Sequence, residues 1–246
     1  AAAVGRRPGH ACTTDMARSP RLALAGELHH VLLRGHPAQA VFADPVDRDA
    51  FVEMLQLALP HVGVALHAYV LVPGEAHFLA TPAQAESLGR LMQSLGRRFG
   101  AGFNRRHARQ GAVWDGRFRC SVIEAARHLV EATVMLETLP VQAGLVARAQ
   151  DWRWSSAPHH LGQVRDGLIT EHPLHWALGN TPFDRERAHA NLLERNVESA
   201  AAGRLDLAVR RSLVLGSEAF VSRVAAVTGR PLAPRARGRP RNHKAV

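Results

Sequence analysis

The chain has 246 residues, of which 46% are hydrophobic, and a formal net charge of +10. That is enough apolar material for one substantial core, which excludes a chain disordered throughout. The basic balance favours a polyanionic partner, nucleic acid first, because each cation set against a phosphate releases condensed counterions. Two cysteines, Cys12 and Cys120, exclude a disulfide framework and a cysteine-built zinc cluster, and no run is long and apolar enough to span a bilayer. A cytoplasmic protein with no membrane partner is expected. Lys244 is the only lysine, so the preference for arginine reflects composition as much as recognition.

Residues 1–15 are small, polar and without pattern, and are expected as a disordered leader or an upstream extension before Met16. Leu28 to Leu33 reads as a short strand closed by Arg34-Gly35. Asp44 or Asp47 caps a helix with Phe51, Met54, Leu55 and Ala58 at helical spacing up to Leu59-Pro60. Then come strands Val64–Val72 and Ala76–Ala80, joined by Pro73-Gly74, which supplies the fixed φ and the permissive residue that a tight turn needs. Glu75 and His77 lie two apart on the second arm, where period-2 geometry points both to one face. A carboxylate and an imidazole on one face can share a metal ion.

A long amphipathic segment from about Ala83 to Gly111 carries Leu88, Leu91, Met92, Leu95, Phe99 and Phe103 on one side, with Arg97, Arg98, Arg105 and Arg106 on the rest. Gly96, Gly100 and Gly102 predict a kink in it. Gly116 to Val122 alternates as a strand with Arg117 and Arg119 on one face, and Glu124–Thr138 is a helix ended before Pro140. The order β-α-β-β-α-β predicts an α+β, ferredoxin-like (split βαβ) antiparallel sheet with helices on one face, leaving the other open for polar chemistry or nucleic acid.

Trp152 and Trp154 form an aromatic staple, and 163–182 reads as a linker. Helical patterns over Asp184–Ala202, Leu205–Leu215 and Ser217–Val227 make 183–230 a small helical region, one form of which is a helix-turn-helix. The tail 231–246 is basic and extended, and its Arg237-Gly238-Arg239-Pro240 has the form of an AT-hook core. There the glycine lets the backbone approach the groove floor, and Arg237 and Arg239 enter the narrow minor groove of A·T-rich DNA.

Several further stretches carry a resemblance. They are His30-Val31 with Arg34-Gly35, Leu66-His67-Ala68-Tyr69 before Pro73, Phe103-Asn104-Arg105-Arg106-His107, Trp114-Asp115-Gly116-Arg117-Phe118, Ala143-Gly144-Leu145-Val146, Trp154-Ser155-Ser156, Leu215 to Phe220, and Arg237 to Pro240. With them the chain resembles the REP-associated tyrosine transposases of the HUH single-strand endonuclease superfamily, over most of Met16 to Lys244. The resemblance implies a bacterial, nucleoid-associated protein that acts on single-stranded DNA hairpins as a monomer or homodimer, and a transposase-like domain over 16–162. It also implies one Mg²⁺ or Mn²⁺ held by a His-x-His pair and a helix side chain, and a tyrosine nucleophile that forms a 5′-phosphotyrosine intermediate.

The sequence departs from that pattern where the chemistry lies. The first histidine position is Glu75 and only His77 is kept; the nucleophile position is Met135; the third metal contact is Leu139. A carboxylate is a tolerable Mg²⁺ ligand, but a thioether has no proton to lose and forms no phosphoester. Tyr69, the only tyrosine, sits in an apolar strand and reads as a core residue. The expectation is a DNA-binding, transposase-like protein defective in tyrosine-dependent cleavage. Its arginine contacts are Arg34, Arg97, Arg98, Arg105, Arg106, Arg117, Arg119, Arg237 and Arg239. The alternatives are a residual metal-dependent nuclease at Glu75/His77 and an RNA-binding ferredoxin-like module.

Overall fold

The computed structural model describes residues 21–37, 40–230 and 232. The expected leader, the AT-hook-like arginines Arg237 and Arg239, and Cys12 lie outside the described residues. Five strands form one sheet: β1 (Leu28–Arg34), β2 (Val64–Val72), β3 (Glu75–Pro82), β4 (Arg119–Ile123) and β5 (Val214–Leu215), in the order β2-β3-β1-β4-β5. Neighbours are antiparallel except β4 and β5. The first four strands with α1 (Pro45–Val62) and α2 (Ser87–Arg106) follow the ferredoxin-like plan read from the sequence.

Asp44 is the N-cap of α1, accepting from the Asp47 N–H at 3.1 Å, and Gly63, at φ +63°, ends the helix. α1 and α2 cover one face of the sheet. Their apolar sides meet Val31, Leu33, Leu71, Phe78 and Ala80 in a cluster centred on Phe42, Phe51 and Phe99. α2 runs unbroken through its glycines, because the buried stripe from Leu88 to Phe103 continues across them. A Cβ at Gly35 would lie 1.9 Å from the Val41 Cγ2, so only glycine lets the chain leaving β1 pass under Val41.

The second face is not open. α3 (Ala125–Gln142) and α6 (Ser199–Arg211) lie across it, setting Leu129, Ala132, Met135, Leu136 and Leu205 against Leu28, Ala68, Val70, Leu79 and Ile123. The expectation of helices on one face is corrected accordingly. β1 already signals this, because its six residues from Leu28 to Leu33 are all buried, as in a strand covered on both sides. α3 also continues through Pro140, which falls in its last turn, where the missing N–H costs a single helical hydrogen bond.

The C-terminal elements are α4 (Ala157–His160), α5 (Pro182–Arg195), α6, β5 and α7 (Glu218–Thr228). The break between α5 and α6 falls at Asn196, and Gly203 lies inside α6. β5 separates α6 from α7 and pairs with β4, so these helices form no helix-turn-helix. Residues 163–182 are tied to β2: the Thr170 N–H donates to the Leu66 carbonyl at 2.7 Å, and the Tyr69 hydroxyl to Asp166 at 2.8 Å. Trp152 donates to the Leu71 carbonyl and Trp154 to Asp49, so this pair pins the chain to β2 and α1.

Candidate functional site

Glu75 and His77 stand on the sheet face that α3 and α6 cover. Their registers place Glu75 opposite Arg34 and His77 opposite Leu32, with His30 two residues along β1 on the same face. A chain of hydrogen bonds links them. His30 Nε2 lies 3.1 Å from His77 Nδ1, and His77 Nε2 lies 3.1 Å from Glu75 Oε2. A proton on His77 Nε2 reaches the carboxylate and leaves Nδ1 to accept from His30, so both imidazole nitrogens of His77 are engaged.

The Glu75 carboxylate is engaged as well. Arg210, from the last turn of α6, donates to Oε1 at 2.9 Å and to Oε2 at 3.0 Å, while its Nε donates to Asp206 at 2.8 Å. Arg34 stands 3.8 Å from the same carboxylate. Burial alone would raise the Glu75 carboxyl, but the bonds from His77 and Arg210 bring it down to about 2. Those same bonds to Glu75 push the Arg210 guanidinium up. His30 is wholly buried and held well below the ordinary imidazole value by that burial and by the His77 and Arg210 charges.

The Mg²⁺ or Mn²⁺ implied by the motif resemblance does not fit this arrangement. Both carboxylate oxygens face a guanidinium, both His77 nitrogens are bonded, and the third ligand position is the apolar Leu139, packed on the second core cluster. Arg210 supplies a fixed positive charge at the carboxylate that an ion would neutralise. Met135 is 3% exposed and belongs to the same apolar cluster. Tyr69 is 2% exposed; burial and the neighbouring Asp166 raise its hydroxyl far above the ordinary phenol value.

The arginines divide into two groups. Arg97, Arg98, Arg105 and Arg117 are exposed, and among the described residues no ion pair engages them. The three on α2 lie over the first core, on the opposite layer of the molecule from Glu75 and His77. A cavity of about 540 Å³ lies between α2 and the segment before β4, lined by Arg21, Met92, Trp114, Arg117 and Phe118, and the indole N–H of Trp114 has no hydrogen-bond partner. Arg106 instead closes ion pairs with Asp44 and Asp47, at 2.5 and 2.6 Å, that tie the end of α2 to the start of α1. Arg119 donates to the Arg210 carbonyl, and Arg34 is drawn to Glu75.

Arg210 and Asp206 were missed in the sequence, because nothing local marks an arginine 135 residues from its partner as part of this site. Glu137 of α3, with His160, His175 and His189, forms a second buried polar cluster, also missed. Its one local sign is a glutamate inside an apolar helix.

No family model and no curated protein matches the chain. Among solved structures its fold is similar to that of a REP-associated tyrosine transposase bound to a REP hairpin, at 12% identity and a TM-score of 0.48 over 65% of this chain and 93% of that one. It is also similar to that of a candidate transposase from Deinococcus radiodurans R1, at 20% identity and a TM-score of 0.34 over 47% of this chain and 93% of that one.

Proposed function

We propose that this chain is a DNA-binding protein of transposase type that has given up metal- and tyrosine-dependent strand cleavage. The observation that carries the second half of the reading is the bidentate Arg210–Glu75 pair, which sets a guanidinium where the family's chemistry needs an ion. Met135 in the apolar interior and the sole tyrosine, Tyr69, hydrogen-bonded to Asp166, offer no tyrosine nucleophile beside Glu75 and His77. The first half rests on the net charge of +10 and on the exposed cations Arg97, Arg98, Arg105 and Arg117, with the motifs from Met16 to Lys244 naming hairpin single-stranded DNA as the ligand class. Arg237 and Arg239 add minor-groove contacts in this reading.

The test is to incubate the full chain with a single-stranded DNA hairpin and Mn²⁺. Binding that weakens steeply with salt, with neither a covalent adduct nor nicking, is the expected result. An adduct overturns the loss of cleavage, and metal-dependent nicking that disappears in His77→Ala establishes the residual nuclease in its place. Tighter binding of RNA of matched sequence favours the RNA module instead.

A further inference from the structure

Beneath α3, away from Glu75 and His77, the Glu137 carboxylate is wholly buried and organises a set of histidines. Its Oε1 accepts from the Ser156 hydroxyl at 2.6 Å and from His160 Nδ1 at 2.5 Å; its Oε2 accepts from His189 Nε2 at 2.6 Å. These bonds fix the tautomers, because a carboxylate only accepts. His189 Nδ1 is left with a lone pair, 3.4 Å from His175 Nε2, so His175 carries its proton on Nε2. His175 Nδ1 is then also a lone pair.

That lone pair faces another. His175 Nδ1 and Glu171 Oε2 are 2.9 Å apart, yet they lack hydrogen-bond geometry and both are shut off from solvent without a partner. The other Glu171 oxygen is taken by His159 Nε2 at 3.1 Å. Two buried acceptors held face to face call for a cation between them.

We propose that His160, His175 and Glu171 form a divalent metal site of the two-histidine, one-carboxylate kind, with Zn²⁺ the ion its ligand types suit best. One ligand atom from each lies within 4.8 Å of the others. Two imidazole nitrogens and a carboxylate oxygen match the ion's preference, and three protein ligands leave a position open. That position faces a cavity of about 260 Å³ lined by His159, His160, Arg165, Glu171, His175 and Arg185, which supplies an entry path. The surrounding shell is complete: Glu137 holds His160, His189 holds His175, and His159 holds Glu171.

The experiment strips the full chain with a chelator, adds Zn²⁺ alone, and measures bound metal by elemental analysis, affinity by titration and midpoint by thermal melting. One Zn²⁺ per chain is expected, with a higher melting midpoint. Glu171→Gln and His175→Ala should each weaken binding by at least about 10-fold, the order found when a metal-site shell is broken, and His77→Ala should leave it unchanged. Glu171→Gln is the variant least able to disturb folding, since Glu171 is one-third exposed, and its circular dichroism is compared with the native chain's. No bound Zn²⁺ in the native chain, or equal affinity in Glu171→Gln and His175→Ala, overturns the proposal. Loss of binding in His77→Ala alone overturns it too, by moving the ion to the other site.

Discussion

Arg210 and Glu75, 135 residues apart in the chain, close a two-pronged ion pair on the sheet face beneath α6, with N–O distances of 2.9 and 3.0 Å. The planar guanidinium fork matches the carboxylate, and Asp206 holds its third nitrogen from one turn earlier in the same helix. The pair joins the last turn of α6 to the start of β3, so the C-terminal region and the hairpin hold one another in place. A side chain supplies the charge balance at this position.

Removing the guanidinium exposes both roles. Arg210→Ala leaves the half-buried Glu75 with His77 and the more distant Arg34, and should destabilise the fold by about 1.5–3 kcal/mol, the range for hydrogen bonds to charged groups. The freed carboxylate is then a hard oxygen ligand. Mn²⁺ should raise the melting midpoint of Arg210→Ala and leave His77→Ala/Arg210→Ala where it was. Equal shifts in the two variants would place the ion elsewhere.

Acid should loosen the same joint. The Glu75 carboxyl is held at about 2 in the folded chain against an ordinary value of 4.5, so its stabilisation is complete above the ordinary value and is lost as pH falls toward the folded one. Glu137 and Glu171, also held below the ordinary carboxyl range, act in the same direction. Glu75→Gln should be less stable than the native chain near neutrality and converge with it by about pH 2. Denaturant midpoints across that range give the comparison, and parallel curves would show that Glu75 does not contribute.

Much of the sheet was legible because periodicity and turn chemistry are local. The Pro73-Gly74 turn, the Asp44 cap and the buried stripe of α2 each lie within a few residues of the features that betray them. The covering of the second face was not, since Leu205 reaches Leu28 only once α6 has folded back across the sheet. The Glu75–His77 pair was read at its position, but its state depends on Arg210, and no spacing rule links the two. The fate of Arg106 was hidden in the same way, because Asp44 and Asp47 read as capping residues while also holding the end of α2.

The arginines should separate by assay. Arg97→Ala/Arg98→Ala touches no ion pair among the described residues, and should leave the melting midpoint unchanged while lowering the salt slope of single-stranded DNA binding by about 1.4, at roughly 0.7 per phosphate contact. Arg106→Ala should do the reverse, lowering the midpoint because Asp47, 2% exposed, is left with the His107 ring and the Ala43 N–H. An unchanged slope in the first variant would remove that pair from the interface.

Rebuilding the nucleophile is the most demanding case. Met135→Tyr puts a hydroxyl among Leu28, Ala68, Val70 and Leu129, and an unpartnered hydroxyl there costs about 1–3 kcal/mol. Glu75→His/Met135→Tyr/Leu139→Asn installs the three residues that the motif resemblance implies but leaves the Arg210 guanidinium facing an imidazole at position 75, where its charge repels a divalent ion. No covalent adduct with a hairpin DNA is expected from that triple variant. Adding Arg210→Ala removes the repelling charge, and an adduct dependent on Mn²⁺ should then appear on denaturing gels. An adduct already present in the triple variant would show that Arg210 does not obstruct the site. Its absence from the fourfold variant, if that chain still melts cooperatively, would mean that the apolar packing around position 135 blocks the chemistry by itself.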